Sequence, residues 1–487
     1  MVGSIAAPRL AGLVEGFDRS PAYAGLADGL RLLIGDGRVG LDLRLPSERD
    51  LSVALGVSRT TVARAYAGLV ESGFAHARQG SGTYTRLPGG RRRSLDRTLT
   101  PTTTGDDVID LNCAAHSALP GVGTAYAEAV QELPRYLGGH GYFPTGLPAL
   151  QEAVAASYDA RGLPTDPEQI MVVPGSLSAL AVVAQGLVRR GDRALVETPG
   201  YPNAHEALRR AGARRIGLPM DVDGWDLTAV ERLARETRAP LAYLIPDFQN
   251  PTGNLMGDAG RERLAAVLRR SGTVPIVDEA HQPLGLDGIP MPRPFATFAT
   301  ETVTLGSASK SFWGGLRIGW VRCPPGVLER LMDARVALDL GSPVLEQLVA
   351  ARLLSRRDEL WSAQRDRLRE QRDALVDALR SELPDWRFRV PSGGLSLWCE
   401  LSSGGGVGAG ATALVLEAER RGVLVSPGSV FAVDGGLDSF VRVPFTRPPD
   451  VLRTAVARLR DAWSAVGEHA TRSPARGAST RARVMVA

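Results

Sequence analysis

The sequence predicts two domains of different class: a small α+β unit of helices closed by a hairpin, and a large α/β domain on a mostly parallel sheet. Three observations predict this. Residues 21–86 carry apolar residues at helical spacing, followed by two strand-like runs around Gly80-Ser81-Gly82. Residues 87–107 have no hydrophobic period and are rich in Gly, Pro, Thr and Arg, which reads as a flexible linker. From Val108 to about Gly467, short apolar runs alternate with helical stretches, the pattern of a parallel sheet with crossover helices.

Taken in order, a first helix is expected near Ala22–Ile34. A second begins at Ser47, where Ser47-Glu48-Arg49-Asp50 is like a capping box with Asp in the fourth place. Gly56-Val57 makes a turn, and Ser58 caps a third helix with Val62, Tyr66, Leu69 and Val70 at helical spacing. Phe74–Arg78 and Thr83–Thr85 form the hairpin. In the large domain Ile170–Val173, Arg193–Glu197, Leu241–Ile245, Val274–Val277 and Thr302–Leu305 are expected strands, and Gly404–Gly410 a loop. The expected limits are 1–86, a linker 87–107, a large domain 108–467, and a basic tail 468–487 whose Ser, Arg and Ala content reads as disorder.

The net charge of +4 is uneven: residues 1–93 carry +5 and residues 468–487 carry +3, against −4 between them. A basic head on a slightly acidic body calls for an anionic partner at the head. Cys113, Cys323 and Cys399 are too far apart for a disulfide framework or a zinc site, and no metal is expected. No apolar run reaches the length of a membrane span and the N-terminus lacks a signal-peptide core, so a soluble cytoplasmic protein with no membrane partner is expected.

Two helices joined by a Gly-containing turn, then a Gly-tipped hairpin, have the shape of a winged helix-turn-helix whose third helix would enter the major groove of double-stranded DNA; the alternative from pattern alone is a small helical interaction domain with a solvated basic face. The polar start of that helix, Ser58-Arg59-Thr60-Thr61, is placed to meet base edges and phosphates. Arg49 and the wing's Arg78 add phosphate or groove contacts, and Gly80 lets wing backbone approach the DNA. The runs LPSER (45–49), LGVSRTTV (55–62), Ala65-Tyr66 and GSGTY (80–84) resemble the GntR-type winged helix in order and spacing. The resemblance implies that Arg49, Arg59 and Gly80 meet DNA. Some GntR members carry a DNA-contacting Arg where this chain has Ala63, and that role does not pass to Arg64.

The chain has 57 Lys plus Arg, of which one, Lys310, is lysine. Guanidinium stays protonated and forms no imine; a primary amine that can lose its proton does. Lys310 lies in Ser307-Ala308-Ser309-Lys310 with Arg317 following, so hydroxyls and a guanidinium suited to a phosphate stand near an amine suited to an aldehyde. Gly175-Ser176-Leu177 follows a strand and opens a helix, whose N–H groups offer a second phosphate contact. Asp278 ends a strand, where a carboxylate can pair with a protonated pyridine nitrogen. Asn250 can donate to a ring oxygen, Tyr201 can stack on a ring, and Arg442 can clamp a carboxylate. Taken singly, each of these has an ordinary alternative as a turn, an N-cap, a core or a surface residue.

Their order resembles the fold-type I pyridoxal phosphate enzymes, the aspartate aminotransferase superfamily, over roughly residues 110–465. The resemblance implies an α/β domain with a smaller C-terminal α+β part and pyridoxal 5'-phosphate as cofactor. Lys310 would be the Schiff-base lysine, with Asp278 and Asn250 completing the catalytic set. Ser307, Ser309, Arg317 and Gly175, Ser176 and Leu177 would surround the phosphate, Tyr201 would stack on the ring, and Arg442 would bind an effector or substrate carboxylate. Tyr142 in YFPTG would reach the neighbouring subunit's phosphate. Where the family usually has a Tyr two or three residues after the Asp, this chain has His281, expected to donate one hydrogen bond with a different reach. Gln151 stands where the family often has Arg. A GntR-type head on such a body is the MocR architecture. It implies a transcription regulator that binds an operator as a head-to-tail homodimer and senses an amino acid, an amine or pyridoxal phosphate itself. The alternative is a catalytically active pyridoxal phosphate-dependent aminotransferase.

Overall fold

The computed structural model describes residues 4–14, 16–35, 39, 43–78, 82–86, 108–221, 223–402 and 410–472. The expected linker 87–107, Gly80 and Ser81 of the wing, residues 403–409 of the Gly-rich loop and the tail beyond 472 lie outside the described residues. The chain divides into two compact units, Met1–Leu95 with Ala118–Gln131, and Asp96–Ser117 with Glu132–Ala487. Most of the helix Val122–Glu132, which the expected boundary at 108 put in the large domain, therefore groups with the small unit.

In the small unit the helices Ala22–Gly35, Glu48–Leu55 and Arg59–Glu71 precede a hairpin of Ala75–Arg78 and Gly82–Thr85, with Arg78 opposite Gly82. A further helix, Ala7–Leu13 with Pro8 in its first turn, adds to the expected elements. Ser47 Oγ accepts from the Asp50 N–H at 3.1 Å and donates to the Asp50 carboxylate at 2.7 Å, which supplies half of a capping box. Gly56 ends that helix at φ 65, a left-handed conformation that glycine adopts without steric cost. Ser58 Oγ then accepts from the Thr61 N–H at 3.0 Å and starts the third helix. Val62, Ala65, Tyr66 and Leu69 of that helix are buried with Leu26, Leu30 and Leu51. Val70 falls at the edge of this stripe and is 37% exposed.

The large unit is built on an eight-stranded sheet in the order Ile170–Val173, Gly319–Arg322, Val303–Ser307, Val274–Asp278, Leu241–Leu244, Arg193–Thr198, Arg214–Asp221, Gly224–Trp225. The strands from Val303–Ser307 through Arg214–Asp221 run parallel. Gly319–Arg322 and Gly224–Trp225 are antiparallel to their neighbours. Every residue of Ile170–Val173 and Leu241–Leu244 is buried, as expected of strands covered on both faces. A smaller α+β part follows: a four-stranded antiparallel sheet of Arg387–Phe388, Ser396–Glu400, Phe440–Pro444 and Ser426–Pro427. The helices Arg357–Glu382, Ala411–Arg420 and Pro449–Arg472 pack on it around Leu375, Leu397, Leu414, Val441 and Leu459. The last helix runs to Arg472, past the expected limit at Gly467. Among the described residues no helix is long and apolar enough to cross a membrane.

Candidate functional site

In open parallel sheets, functional groups gather beyond the carboxyl ends of the strands. Here Ser176 follows the strand ending at Val173, Tyr201 the one ending at Thr198 and Asn250 the one ending at Leu244; Asp278 ends its own strand and Lys310 follows Ser307. These five residues line one cleft together with Ile245, Ala280 and His281. Lys310 lies on the short helical turn Ala308–Ser311, and its Nζ donates to the Ala114 carbonyl at 2.8 Å. Burial, joined by the positive charges of Arg442 and Arg317, brings the Lys310 amine down to about 8, while Cys113 and Asp278 act the other way.

Asp278 is buried and accepts from Tyr243 Oη at 2.8 Å and from the Ala280 N–H at 2.9 Å. Burial raises its carboxyl, and those two hydrogen bonds oppose the rise. Arg442, on the strand Phe440–Pro444, is fully buried. It donates through Nη1 to Asn250 Oδ1 at 3.3 Å and through Nη2 to the Asn112 carbonyl, and its Nε has no partner among the described residues. Burial lowers Arg442 to about 10, so it stays cationic at neutral pH. Because Asn250 Oδ1 is taken by Arg442, its Nδ2 is the group that can donate to a ligand. Tyr201 caps the helix Pro202–Arg210, and its hydroxyl accepts from Asn203 Nδ2 at 3.0 Å.

His281 corrects one expectation. It lines the cleft, but its Nδ1 lies 2.9 Å from the Phe248 carbonyl, which can only accept. Burial holds the ring down to about 4, so it is neutral at pH 7 with its single proton on Nδ1. Nε2 then carries a lone pair and accepts, and the expected donation to a ring oxygen is not available.

Beside the cleft, Gly175 sits at φ 95, and a Cβ there would stand 2.8 Å from Arg317 Nη2. Arg317 is itself left-handed at φ 50 and donates to the Pro174 carbonyl at 2.8 Å, which ties the two segments together. Ser307 Oγ accepts from the Ser309 N–H at 3.1 Å, and Ser309 Oγ is buried without a partner among the described residues. Leu177 is 37% exposed and can contribute its N–H alone. A helix N-terminus, a guanidinium and an orphaned hydroxyl together suit a phosphate. Tyr142 lies outside this cleft, 58% exposed and stacked on His140 with centroids 5.7 Å apart.

Other participants were missed from the sequence. The segment Asn112–His116 supplies carbonyls to Arg442 and Lys310, and His116 Nε2 lies 2.7 Å from the Lys310 carbonyl. Tyr243 holds Asp278, and its place at the cleft end of an apolar strand was the available signal. Glu197 is buried and accepts from Trp225 Nε1 at 2.7 Å, the Ile245 N–H at 3.0 Å and Gln249 Nε2 at 3.0 Å, which fixes the chain leading into Asn250. Burial pushes Glu197 up to about 7.

In the small unit Arg49, Ser58, Arg59, Thr60 and Arg78 are exposed. Thr61 is half-buried with its hydroxyl 2.8 Å from Ser58 Oγ, so these two hydroxyls serve the helix cap. Arg59 Nε pairs with Glu48 Oε2 at 3.2 Å. Arg78 lies over the Tyr84 ring at 4.6 Å, and Arg64 over the Tyr23 ring at 3.7 Å.

Residues 119–459 match the family model described as aminotransferase class I and II, and residues 22–85 match bacterial regulatory proteins of the gntR family. The uncharacterized HTH-type transcriptional regulator YdfD of Bacillus subtilis is 27% identical over 455 residues, 87% of this chain and 92% of its own. The probable rhizopine catabolism regulatory protein MocR of Rhizobium meliloti is 30% identical over 396 residues, 75% of this chain and 78% of its own. The crystal structure of LysN, an alpha-aminoadipate aminotransferase from Thermus thermophilus complexed with N-(5'-phosphopyridoxyl)-L-leucine, is similar at a TM-score of 0.67 and 29% identity, over 74% of this chain and 93% of that one.

Proposed function

This chain belongs to the aminotransferase class I and II family and carries a gntR-type helix-turn-helix before that domain, the MocR-type architecture of transcription regulators; from that premise we propose that its large domain binds pyridoxal 5'-phosphate and senses an amino acid, an amine or the cofactor itself. One observation carries the reading. The chain's single lysine shares a cleft with Asp278, Asn250, Tyr201, Ser176 and His281, and its amine is held near 8.

The residues present fit this cofactor. Ser309 Oγ is buried without a partner among the described residues, and Gly175 leaves beside Arg317 a space that a Cβ would fill; both suit a phosphate. When bound, the cofactor supplies an aldehyde reactive toward primary amines and a ring that withdraws electrons. Lys310 would present the amine to it. Asp278, held by Tyr243, would accept from a protonated ring nitrogen. Asn250 would donate to the ring oxygen through Nδ2, and Tyr201 would cover a ring face. Arg317, Ser307, Ser309 and the N–H groups of Ser176 and Leu177 would hold the phosphate, with Gly175, whose own N–H is donated to the Val173 carbonyl at 2.8 Å, leaving the room beside Arg317. Arg442, fixed by Asn250 and Asn112, would grip an effector carboxylate through its unpartnered edge.

At the head, Arg49, Arg59 and Arg78 would meet phosphates and base edges. A homodimer would offer two heads to two half-sites, and the exposed Tyr142 would reach the neighbouring subunit's phosphate. An effector changes DNA binding only if it favours one state of the protein over another by differential affinity.

The test follows the visible absorbance of the full-length protein with pyridoxal phosphate while amino acids and amines are added, alongside its affinity for DNA enriched from a random pool. A lasting spectral shift with one compound, with a matching change in DNA affinity, is the expected result. Steady conversion to the pyridoxamine form, reversed by a keto acid and without effect on DNA, would favour the alternative of a working aminotransferase, for which Lys310, Asp278, Asn250 and Arg442 are all in place.

A further inference from the structure

A second cavity of about 330 Å³ lies in the large unit, and its lining includes Arg161, Arg357, Arg365, Trp361, Tyr158 and Glu279. That volume falls within the range of small-ligand sites, about 300–1,000 Å³. None of these residues belongs to the cleft of Lys310. Three guanidiniums meet two carboxylates here, and the carboxylates do not balance them. Glu279 is 4% exposed and bound to Arg161 Nη1 at 2.6 Å, so it neutralises one charge. Asp358 is 93% exposed and stands 3.9 Å from Arg357, a contact of little strength in water. Arg365 donates through Nε to the Pro283 carbonyl at 3.2 Å and forms no salt bridge among the described residues.

Two donors that belong to the lining are buried without partners among the described residues: Arg161 Nη2 and Trp361 Nε1. A buried N–H left without an acceptor is destabilising, so such groups point to an acceptor from outside the chain. Aromatic rings stand among the rest of the lining, beside Ser157, Gln282, Ser311 and Leu354. Tyr158 is 1% exposed and takes the Trp320 N–H at 3.1 Å, while Trp361 packs against Phe312 with centroids 5.8 Å apart. Excess guanidinium, unpaired N–H donors and the flat rings of Trp361 and Tyr158 together describe the complement of one chemical class.

We propose that this cavity is a second small-molecule site, taking an organic anion with a carboxylate and a planar apolar body. The site lies outside the lining of the Lys310 cleft, but Ser307, proposed above for the cofactor phosphate, lines it too, and the cavity and the cleft share two further stretches of backbone. Asp278 lines the cleft and the next residue, Glu279, lines the cavity; Lys310 lines the cleft and the next residue, Ser311, lines the cavity. A ligand in the cavity therefore bears on the segments that hold the carboxylate and the amine. The inference does not require that pyridoxal phosphate be the cofactor.

Calorimetric titration of the full-length protein with 2-naphthoate, and with its uncharged twin 2-naphthamide, tests the site. Saturable binding of 2-naphthoate is expected, with the amide at least about tenfold weaker because charge-assisted hydrogen bonds are lost. Equal binding of the two compounds, or no saturable heat at millimolar 2-naphthoate, would overturn anion recognition without any substitution. To locate the bound anion, Arg357→Gln with Arg365→Gln should weaken it about tenfold or more, and Arg442→Gln should leave it unchanged. The reverse pattern would place the anion in the cofactor cleft and remove the second site. Thermal unfolding of each variant verifies that it is folded before titration, and Trp361→Phe, which keeps a flat wall, gives a further variant that should bind several-fold more weakly.

Discussion

His281 Nδ1 lies 2.9 Å from the carbonyl oxygen of Phe248, and that contact decides which ring nitrogen carries the proton. Phe248 is left-handed at φ 50, a conformation that non-glycine residues seldom adopt, and its carbonyl meets a buried imidazole held down to about 4. Of Asn250 and His281, which both line the cleft, only Asn250 therefore offers a ring oxygen a side-chain donor, its Nδ2, because the Nε2 of His281 is an acceptor.

His281→Tyr should restore a second donor. A hydroxyl donating to the cofactor's ring oxygen favours the deprotonated oxygen. The pH midpoint of the bound cofactor's visible band should fall by about one unit or more relative to the parent chain. A midpoint that stays put would mean that position 281 does not face the ring oxygen. His281→Gln is a useful companion, since its amide can donate without adding a titrating group.

Lys310 sets a pH dependence of two kinds. The free amine is the nucleophile, so the rate at which cofactor-free protein captures pyridoxal phosphate should climb with pH and level off near 8, where an ordinary lysine would carry the climb to about 10.5. Stability runs in the same direction. Between about 8 and 10.5 the unfolded chain holds a proton at this residue that the folded chain does not, so folding gains as pH rises through that window. Urea unfolding at pH 7 and pH 10 should show a steeper gain for the parent than for Lys310→Met. Parallel slopes would refute the lowered amine.

Arg59 is exposed and its Nε rests on Glu48 at 3.2 Å, so on the proposed reading that carboxylate would compete with DNA for the guanidinium. The pair contributes about 0–1 kcal/mol as a surface salt bridge, and its loss costs the fold little. Arg59→Ala should weaken operator binding by about 1–3 kcal/mol and leave the visible spectrum unchanged. Glu48→Gln should strengthen binding several-fold, because it removes both the competitor and a negative charge from the DNA-facing side. Gel-shift titration at two salt concentrations reads both. Equal affinity of all three proteins would remove Arg59 from the contact set.

Much of this arrangement was legible because the informative features lie in side chains. The strands of the parallel sheet read as apolar runs since both faces are covered, and Asp278 stood out as a carboxylate at the end of one. Lys310 was visible as the one amine in a chain of guanidiniums. What the sequence withheld is carried by backbone. Ala114, Asn112 and Phe248 act through carbonyl oxygens, which every residue possesses, so residue type leaves no trace of them. The tautomer of His281 was hidden for the same reason. The helix Ala7–Leu13 was missed because its few turns carry one fully buried apolar residue, Leu10, too little for a helical period.

Tyr243 offers the last test, since it would act on bound pyridoxal phosphate only through another residue, Asp278. Its hydroxyl donates to Asp278 Oδ2 at 2.8 Å, and its ring is 1% exposed in the core of the large sheet. Tyr243→Phe keeps the ring and removes the donor. Asp278 then keeps the Ala280 N–H and loses the partner that favours its charged form, so its carboxyl, already raised by burial, rises further. To the degree that this carboxyl is protonated, it would not pair with a protonated ring nitrogen of a bound cofactor. Affinity for pyridoxal phosphate should therefore fall about tenfold at neutral pH, the equivalent of one hydrogen bond to a charged group, and the loss should shrink as pH rises and re-ionises the carboxyl. Fluorescence titration from pH 6 to 9 distinguishes this from a packing defect. A defect would weaken binding equally across the range, whereas a positioning role makes the parent and the variant converge at the alkaline end.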